Sequence, residues 1–360
     1  MSNLKFRACG LPDEAHLVGA YVVSLTTAWM LTPVALTVAV RTEFYDYPVG
    51  YKAHPTPTAC LGGTAVIAAF CVAALLFGDG FSRFAPILAC AVGLTVVGML
   101  DDRFKVRPSR RVLGELIAAA VLWHYGLGWS FLQSGFEELV LTSLWIVGFT
   151  NAFNLMDNMD GAASTVAAVC AAGLALQSVT GGDIGLAALA LALSGACVGF
   201  LPYNLRRGAP ARIFLGDGGS MPLGFIVAAI AMNIPTEDPL GWPVLLIGAL
   251  LLAIPILDTL LVVVSRTRRG VSLVTAGRDH LTHRLHVRLA SPRVVAAALA
   301  FAQAAVSLFA VWAGQLGRTT IIVLALGVLA LGLVIVAVLE QPAWATSRGP
   351  PVESLARRRE

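Results

Sequence analysis

Charge is scarce in this 360-residue chain: Asp, Glu, Lys and Arg together make up 13%, about half the share of an ordinary soluble domain. That scarcity excludes an ordinary soluble enzyme. It also excludes a broad basic face for nucleic acid, because the basic residues are dispersed over short connections. No P-loop and no G-x-G-x-x-G turn occurs, so the usual soluble nucleotide folds are excluded as well. The six cysteines (Cys9, Cys60, Cys71, Cys90, Cys170, Cys197) contain no closely spaced pair. They suggest neither a disulfide framework nor a zinc site and read as small hydrophobes. The first sixteen residues show no cleavable-signal pattern, so the apolar stretch that follows is expected to persist as the first helix.

What is abundant is apolar: 57% of the residues are hydrophobic and mean hydropathy is +0.79. Eleven runs reach or approach the roughly twenty residues that a membrane span needs: 17–40, 60–78, 85–100, 112–126, 139–150, 162–182, 184–202, 220–235, 240–264, 294–315 and 319–339. The fifth spans only if it continues into the polar stretch after it. Threading these runs back and forth places 21 of the 25 Lys and Arg on one side and four on the other. By the positive-inside rule the N-terminus is then outside and the C-terminus cytoplasmic. The expected fold is all-α, a polytopic helical bundle of about eleven transmembrane helices. It forms one domain over 1–340 with a disordered cytoplasmic tail over 341–360. The cytoplasmic connections are 41–59, 101–111, 151–161, 203–219 and 265–293.

Carboxylates sort by the same topology. Outer turns carry Asp13, Glu14, Asp79, Glu137, Glu138, Asp183, Glu237 and Asp238, which read as solvated. Cytoplasmic helix ends carry Asp101 and Asp102, Asp157 and Asp160, and Asp217, with Asp258 inside a span. Asp101–Asp102 alone reads as a hydrophilic helix terminus before a basic stop. Asp217, in Gly-Asp-Gly-Gly, fits equally an anion site at a helix N-terminus and a plain helix start with Ser220 as N-cap. Arg266, Arg268 and Arg269 read as a solvated topology anchor. His280, His283 and Arg284 fall on one helical face, and Glu115 and His124 are expected to pair within the bundle. NAFNLMDNMDG (151–161) is a cytoplasmic connection with no Lys or Arg. Acidic and amide oxygens at one membrane face suit a hard cation such as Mg²⁺ shared with phosphates. A cationic loop suits a diphosphate, and Phe214 could stack on a base. Together they suggest phosphoryl transfer between a soluble nucleotide and a lipid.

At these motifs the sequence resembles the polyprenyl-phosphate N-acetylhexosamine-1-phosphate transferase family, over about residues 46–288. The carrying stretches are DYPVGYKAHPTPTACLGG, GMLDDRFKVRPSRR, NAFNLMDNMDGAAS, YNLRRGAPARIFLGDGGS, PILDT and RDHLTHRL, in the family's order. The resemblance implies attack of polyprenyl phosphate (undecaprenyl or decaprenyl) on a UDP-sugar, most simply UDP-GlcNAc, with UMP leaving. Other UDP-N-acetylhexosamines or a UDP-MurNAc-pentapeptide are the alternative donors. It implies Mg²⁺ (or Mn²⁺) on Asp217 and Asn154, and catalytic roles for Asp101, Asp102, Asp217 and His280, with one of the two adjacent aspartates handling the lipid phosphate. Lys52, Asn151, Asp157, Asp160, Asn204, Phe214, His283 and Arg284 are its implied substrate contacts. The implied setting is a bacterial inner membrane with the site facing the cytoplasm, no nucleic-acid partner, and room for a homodimer. Departures from the family's pattern stand at Tyr51, Ala59–Cys60, Asn158 (usually Gly), Thr282 (often His) and an inserted Arg-Arg-Gly near Arg206. The rival readings are an ion-coupled transporter, an intramembrane aspartyl protease and a CDP-alcohol phosphotransferase.

Overall fold

The computed structural model describes residues 12–47, 56–78, 81–236, 241–273 and 277–344. Thirteen α-helices are described there: α1 (Asp13–Arg41), α2 (Gly62–Phe77), α3 (Phe81–Phe104), α4 (Pro108–His124), α5 (Gly135–Met156), α6 (Ala162–Thr180), α7 (Ile184–Asn204), α8 (Asp217–Met232), α9 (Pro243–Leu251), α10 (Ala253–Arg268), α11 (Leu281–Leu289), α12 (Pro292–Leu316) and α13 (Arg318–Leu339). The only strands among the described residues are β1 (Tyr45–Asp46) and β2 (Thr58–Ala59), paired antiparallel with Tyr45 opposite Ala59. The all-α expectation holds. Seven helices are long and apolar enough to cross a membrane, or eight if α9 and α10 count as one bent span. The eleven expected runs all became helix, but α2, α4 and α8 hold 16, 17 and 16 residues. At 1.5 Å per residue these reach about 25 Å, short of a typical hydrocarbon core.

The run over 240–264 is not the straight span its hydropathy suggests: α9 and α10 meet at 80°. Pro255 supplies no amide proton to the turn before it, and the freed groups find another partner. The Gln303 amide of α12 donates to the carbonyls of Leu250 (3.3 Å) and Leu251 (2.9 Å), and its oxygen accepts from Ile254 N–H (2.9 Å). Irregular backbone at such depth persists only when it is satisfied by protein in this way.

α8 is the axis of the bundle. Every residue from Gly218 to Met232 is buried, so an all-round apolar sequence is surrounded by α2, α3, α5, α6 and α9. Small residues let the helices close on it, as expected where lipid removes the hydrophobic drive between helices. A Cβ on Gly224 would lie 2.3 Å from the Phe149 carbonyl oxygen of α5, and one on Gly63 of α2 would lie 2.2 Å from Gly219 Cα. Gly195-x-x-x-Gly199 of α7 seats α1 in the same manner, against the Tyr21 and Leu25 carbonyls. α13 is peripheral, with only Ile321, Val336 and Leu339 buried.

The bundle has two chemically distinct ends. At one, Arg83 holds Asp183 through two contacts of 3.0 and 2.5 Å, and Asn233 donates to the Leu127 carbonyl (2.8 Å). Asp183 is therefore paired rather than solvated. At the other end gather Asp101, Asp102, Asp157 and Asp217. The first residues of the expected tail, Pro342–Trp344, form a 3-10 turn under the Arg288 guanidinium.

Candidate active site

The site grows from the N-terminus of the buried axis. Gly216 takes a left-handed φ of +74°, which a side chain would strain; it turns the chain into α8. The preceding residues run beside the first connection. Phe214 N–H donates to the Ala59 carbonyl (2.8 Å), and Gly62 and Gly63 N–H donate to the Phe214 and Leu215 carbonyls (2.9 Å each). This splice fixes where Asp217 emerges. Asp102, from the end of α3, accepts from the first free amides of α8, Asp217 N–H and Gly218 N–H, at 3.2 Å each. An anionic side chain there satisfies orphan donors and the positive end of the helix dipole. The N-cap is Gly216, so Ser220 is not the cap. Its hydroxyl lies inside the helix and accepts from Asn154 Nδ2 (3.0 Å).

One arginine joins the acidic and amide groups. Arg111, in the first turns of α4, reaches Asp101 Oδ2 (2.8 Å), Asp217 Oδ2 (3.4 Å) and, through its other terminal nitrogen, Asn154 Oδ1 (2.7 Å). Asn154 Nδ2 donates in turn to Asp217 Oδ1 (2.7 Å). Asn154 lies in the last turn of α5, where the polar stretch 151–161 continues the helix to Met156 before turning. Asp157 caps that helix. Burial, then the carboxylates of Asp217, Asp102 and Asp160, push its carboxyl well above the usual range, while a hydrogen bond from Gly216 N–H opposes the shift. Four carboxylates thus repel one another across a small volume; Arg111 interposes positive charge between Asp101 and Asp217, and Lys105 acts on Asp102. Such a cluster gains from a further cation.

The donor set consists of hard oxygens that already face a cationic group, which suits Mg²⁺. Among the described residues no three His, Cys, Asp or Glu side chains would enclose a metal by themselves.

A second cluster is contributed by α10 and α11. Asp258, 1% exposed, accepts from His280 Nδ1 (3.0 Å) and from Leu281 N–H (2.6 Å). Because a carboxylate only accepts, His280 Nδ1 is the donor in this pair. His283 packs edge-on to His280, with ring centroids 6.2 Å apart. Burial, then the charges of His280 and Arg278, lower its pKa to about 4. Thr282 ties this helix to the turn after α5 by donating to Asn158 Oδ1.

The expected site residues therefore divide. Asp101, Asp102, Asn154, Asp157 and Asp217 converge, and His280 and His283 form the neighbouring pair. Asp160 accepts from Ala211 N–H (3.3 Å) and borders a cavity of about 210 Å³ lined also by Arg206 and Arg293. Phe214 holds the first connection through its backbone. Asn204 is a brace: its oxygen takes Gly161 N–H (2.6 Å) and its nitrogen reaches the Ile213 carbonyl (3.0 Å). Asn151 points along α5 to Glu115 (2.6 Å), away from Asp217's partners. Glu115 thus pairs with Asn151, and exposed His124 stacks on Tyr125 instead (5.2 Å). Arg284 is spent on Ser265 Oγ (2.9 Å), Glu340 (2.5 Å) and the Leu339 carbonyl, so it anchors α11 to the end of α13. Lys52 lies outside the described residues. Arg266 is no solvated anchor: it is 1% exposed and bound to Asp279 (3.2 Å), with Arg269 on the same carboxylate (2.6 Å).

Arg111, Asp258 and Ser220 were missed as partners. Arg111 was hidden in a run of five basic residues with a sufficient topological explanation. Asp258 did stand out as a carboxylate inside a span, and such residues are rare enough to mark function.

An acidic-amide cluster crossed by one arginine, at the end of an apolar helical bundle, defines a membrane-embedded phosphotransferase. The profile of glycosyl transferase family 4 matches residues 84–234, from the start of α3 past the end of α8. The chain is 32% identical over 319 residues to the decaprenyl-phosphate N-acetylglucosaminephosphotransferase of Mycolicibacterium smegmatis, covering 77% of this chain and 76% of that protein. It is 29% identical over 282 residues to the probable undecaprenyl-phosphate N-acetylglucosaminyl 1-phosphate transferase of Bacillus subtilis (75% and 77%). It is 28% identical over 251 residues to the phospho-N-acetylmuramoyl-pentapeptide-transferase of Shouchella clausii (61% and 75%). The chain belongs to glycosyl transferase family 4.

Proposed function

We propose that this enzyme transfers GlcNAc-1-phosphate from UDP-GlcNAc to a polyprenyl phosphate, giving polyprenyl-diphospho-GlcNAc and UMP, at the cytoplasmic face of a bacterial plasma membrane. The observation that carries it is the junction of Asp101, Arg111, Asn154 and Asp217, an oxygen cluster crossed by one arginine at an end of the bundle. The names of the N-acetylglucosamine-type relatives support the sugar and the lipid class, and the excess of basic residues on one side supports the orientation.

In the proposed reaction an oxygen of the lipid phosphate attacks the β-phosphorus of the donor. The bond from that phosphorus to the bridging oxygen breaks, and UMP leaves with the oxygen. A phosphate monoester is largely dianionic at pH 7, since its second pKa is about 6. Asp101 and Asp102 are therefore needed for positioning more than for deprotonation. Asp102 fixes the first turn of α8, and Asp101 holds Arg111, whose guanidinium suits a phosphate. Asp217 and Asn154 would hold Mg²⁺. When bound, the ion supplies charge neutralisation for the diphosphate and the departing UMP. Asp157 and Asp160 face the nucleotide side, and His280 and His283 the sugar diphosphate.

The test uses the purified full-length protein with labelled UDP-GlcNAc, undecaprenyl phosphate and Mg²⁺. The expected result is lipid-linked label with UMP released one for one. UDP-GalNAc and UDP-MurNAc-pentapeptide should be poorer donors. Label that stays water-soluble with every UDP-sugar overturns the proposal. Asp217→Asn should lower turnover by at least about 100-fold while the protein still inserts. An ion-coupled transporter is disfavoured, because its carboxylates belong near the bilayer midplane and these sit at one end.

A further inference from the structure

The hydrogen bond from Thr282 to Asn158 joins two segments 124 residues apart in the chain. Asn158 lies in the turn between α5 and α6, one residue after Asp157. Its Nδ2 is committed to the Leu155 carbonyl (2.6 Å), so the side chain is held with Oδ1 facing α11. Thr282 lies in the first turn of α11, between His280 and His283, and is 1% exposed. A hydroxyl so buried needs its partner. The start of α11 is thus fixed from two directions: Asp258 takes His280 and Leu281 N–H, and Asn158 takes Thr282. On the far side Arg284 secures the same helix to Ser265 and Glu340. Of these ties, Thr282–Asn158 is the one that reaches the acidic turn.

We propose that Asn158 and Thr282 are positioning residues: their hydrogen bond sets the separation between the acidic turn (Asp157, Asp160) and the histidine pair (His280, His283), and so the grip on the sugar nucleotide. The proposal rests on the reading above that the donor lies between these two groups. If so, the bond acts on donor binding and not on the lipid acceptor. A rigid element on each side makes the geometry sensitive, since misplacing supporting groups by a fraction of an ångström degrades a bound pose.

The experiment compares Thr282→Val, which keeps the shape and removes the hydroxyl, with Thr282→Ser, which keeps the hydroxyl. Asn158→Ala and the Thr282→Val/Asn158→Ala double variant complete a cycle. All are full-length protein in detergent. Thr282→Val should raise the donor KM by about tenfold, the worth of one hydrogen bond, with the polyprenyl-phosphate KM unchanged. Thr282→Ser should stay within about threefold, and the double variant should be no worse than the poorer single one. Hydrogen exchange across Leu281–Leu289 should quicken in Thr282→Val and not in Thr282→Ser. Equal donor KM in the valine and serine variants, multiplying effects in the double variant, or an equal change in both substrate KM values overturns the proposal. Should the unaltered enzyme transfer no sugar phosphate from any UDP-sugar, the functional reading fails by itself. The exchange comparison then decides the positioning role alone: selective loss of protection in the valine variant supports it, and unchanged protection overturns it.

Discussion

Replacing Gly98 by Ala should disable the enzyme without unfolding it. Gly98 lies on α3, one turn before Asp102, with its open side against the first turn of α8. A Cβ there would lie 2.3 Å from the Asp217 carbonyl oxygen, 2.4 Å from its carbonyl carbon and 2.5 Å from Gly218 N. These are backbone atoms, so none can swing aside. Ordinary contact begins at 3.4 Å, so α3 and the start of α8 must part by about 1 Å. The displaced atoms carry Asp217 and the two N–H groups that hold Asp102, and a misplacement of 1 Å can cost about 100-fold in rate. Overpacking of this kind costs about 1–3 kcal/mol, offset in part by about 1 kcal/mol from replacing a mid-helix glycine. Stability should therefore fall by no more than about 2 kcal/mol. Gly93→Ala, on the same helix, is the control: nothing lies within 4 Å of the added Cβ, so turnover should match the unaltered protein and melting should be equal or slightly higher. Turnover is read as label moved from UDP-GlcNAc to undecaprenyl phosphate, with detergent melting beside it. Turnover of Gly98→Ala within about threefold of Gly93→Ala would refute the claim that the α3–α8 contact sets the site.

Other expectations follow from named contacts. Arg111→Gln strands the carboxylate of Asp101, 5% exposed, and should lower stability by about 3 kcal/mol. Adding Asp101→Asn should restore most of the melting temperature, and no restoration would mean that Asp101 has another counter-charge. In Asp258→Asn the amide can offer N–H to His280 Nδ1 and so reverse the tautomer; kcat should fall on the order of 100-fold with donor KM little changed. Activity within threefold would remove the Asp258–His280 pair from the mechanism. For His283 the folded pKa of about 4 lies below the ordinary value near 6.5, so the unfolded chain takes up the proton first. The stability it contributes is full above about pH 6.5 and is lost as pH falls toward 4, by about 1 kcal/mol at pH 5 after allowing for partial exposure. His283→Gln should flatten the melting temperature across that window, and an unchanged slope would contradict the assignment.

Much of this was legible in the sequence. Apolar run length and loop charge are local, one-dimensional signals, and they yielded the helical bundle and its acidic end. Asp217 was legible because glycines flank it on both sides, and Asn154 because a polar stretch without Lys or Arg needs a reason other than topology. Arg111 was not legible as a bridge, since one basic residue of five looks like the others until α4 is seen to aim it at Asp101, Asn154 and Asp217. Arg266 and Arg284 erred in opposite directions. The pattern suggests solvation for the first, which is buried on Asp279, and a substrate contact for the second, which is bound to Glu340. Spacing fixes which face of a helix a residue occupies but not what stands opposite.

By itself the sequence determined that the chain is a bundle of apolar helices and that its unusual carboxylates and amides sit at helix ends. Burial of apolar surface requires this whatever the packing. The tertiary structure alone decided which oxygens meet. It seats α8 at the centre because Gly63, Gly98 and Gly224 allow backbones to touch, bends the chain between α9 and α10 where Gln303 can satisfy it, and joins Thr282 to Asn158. Those outcomes depend on close approach between segments distant in the chain, at distances where one methyl group changes the answer.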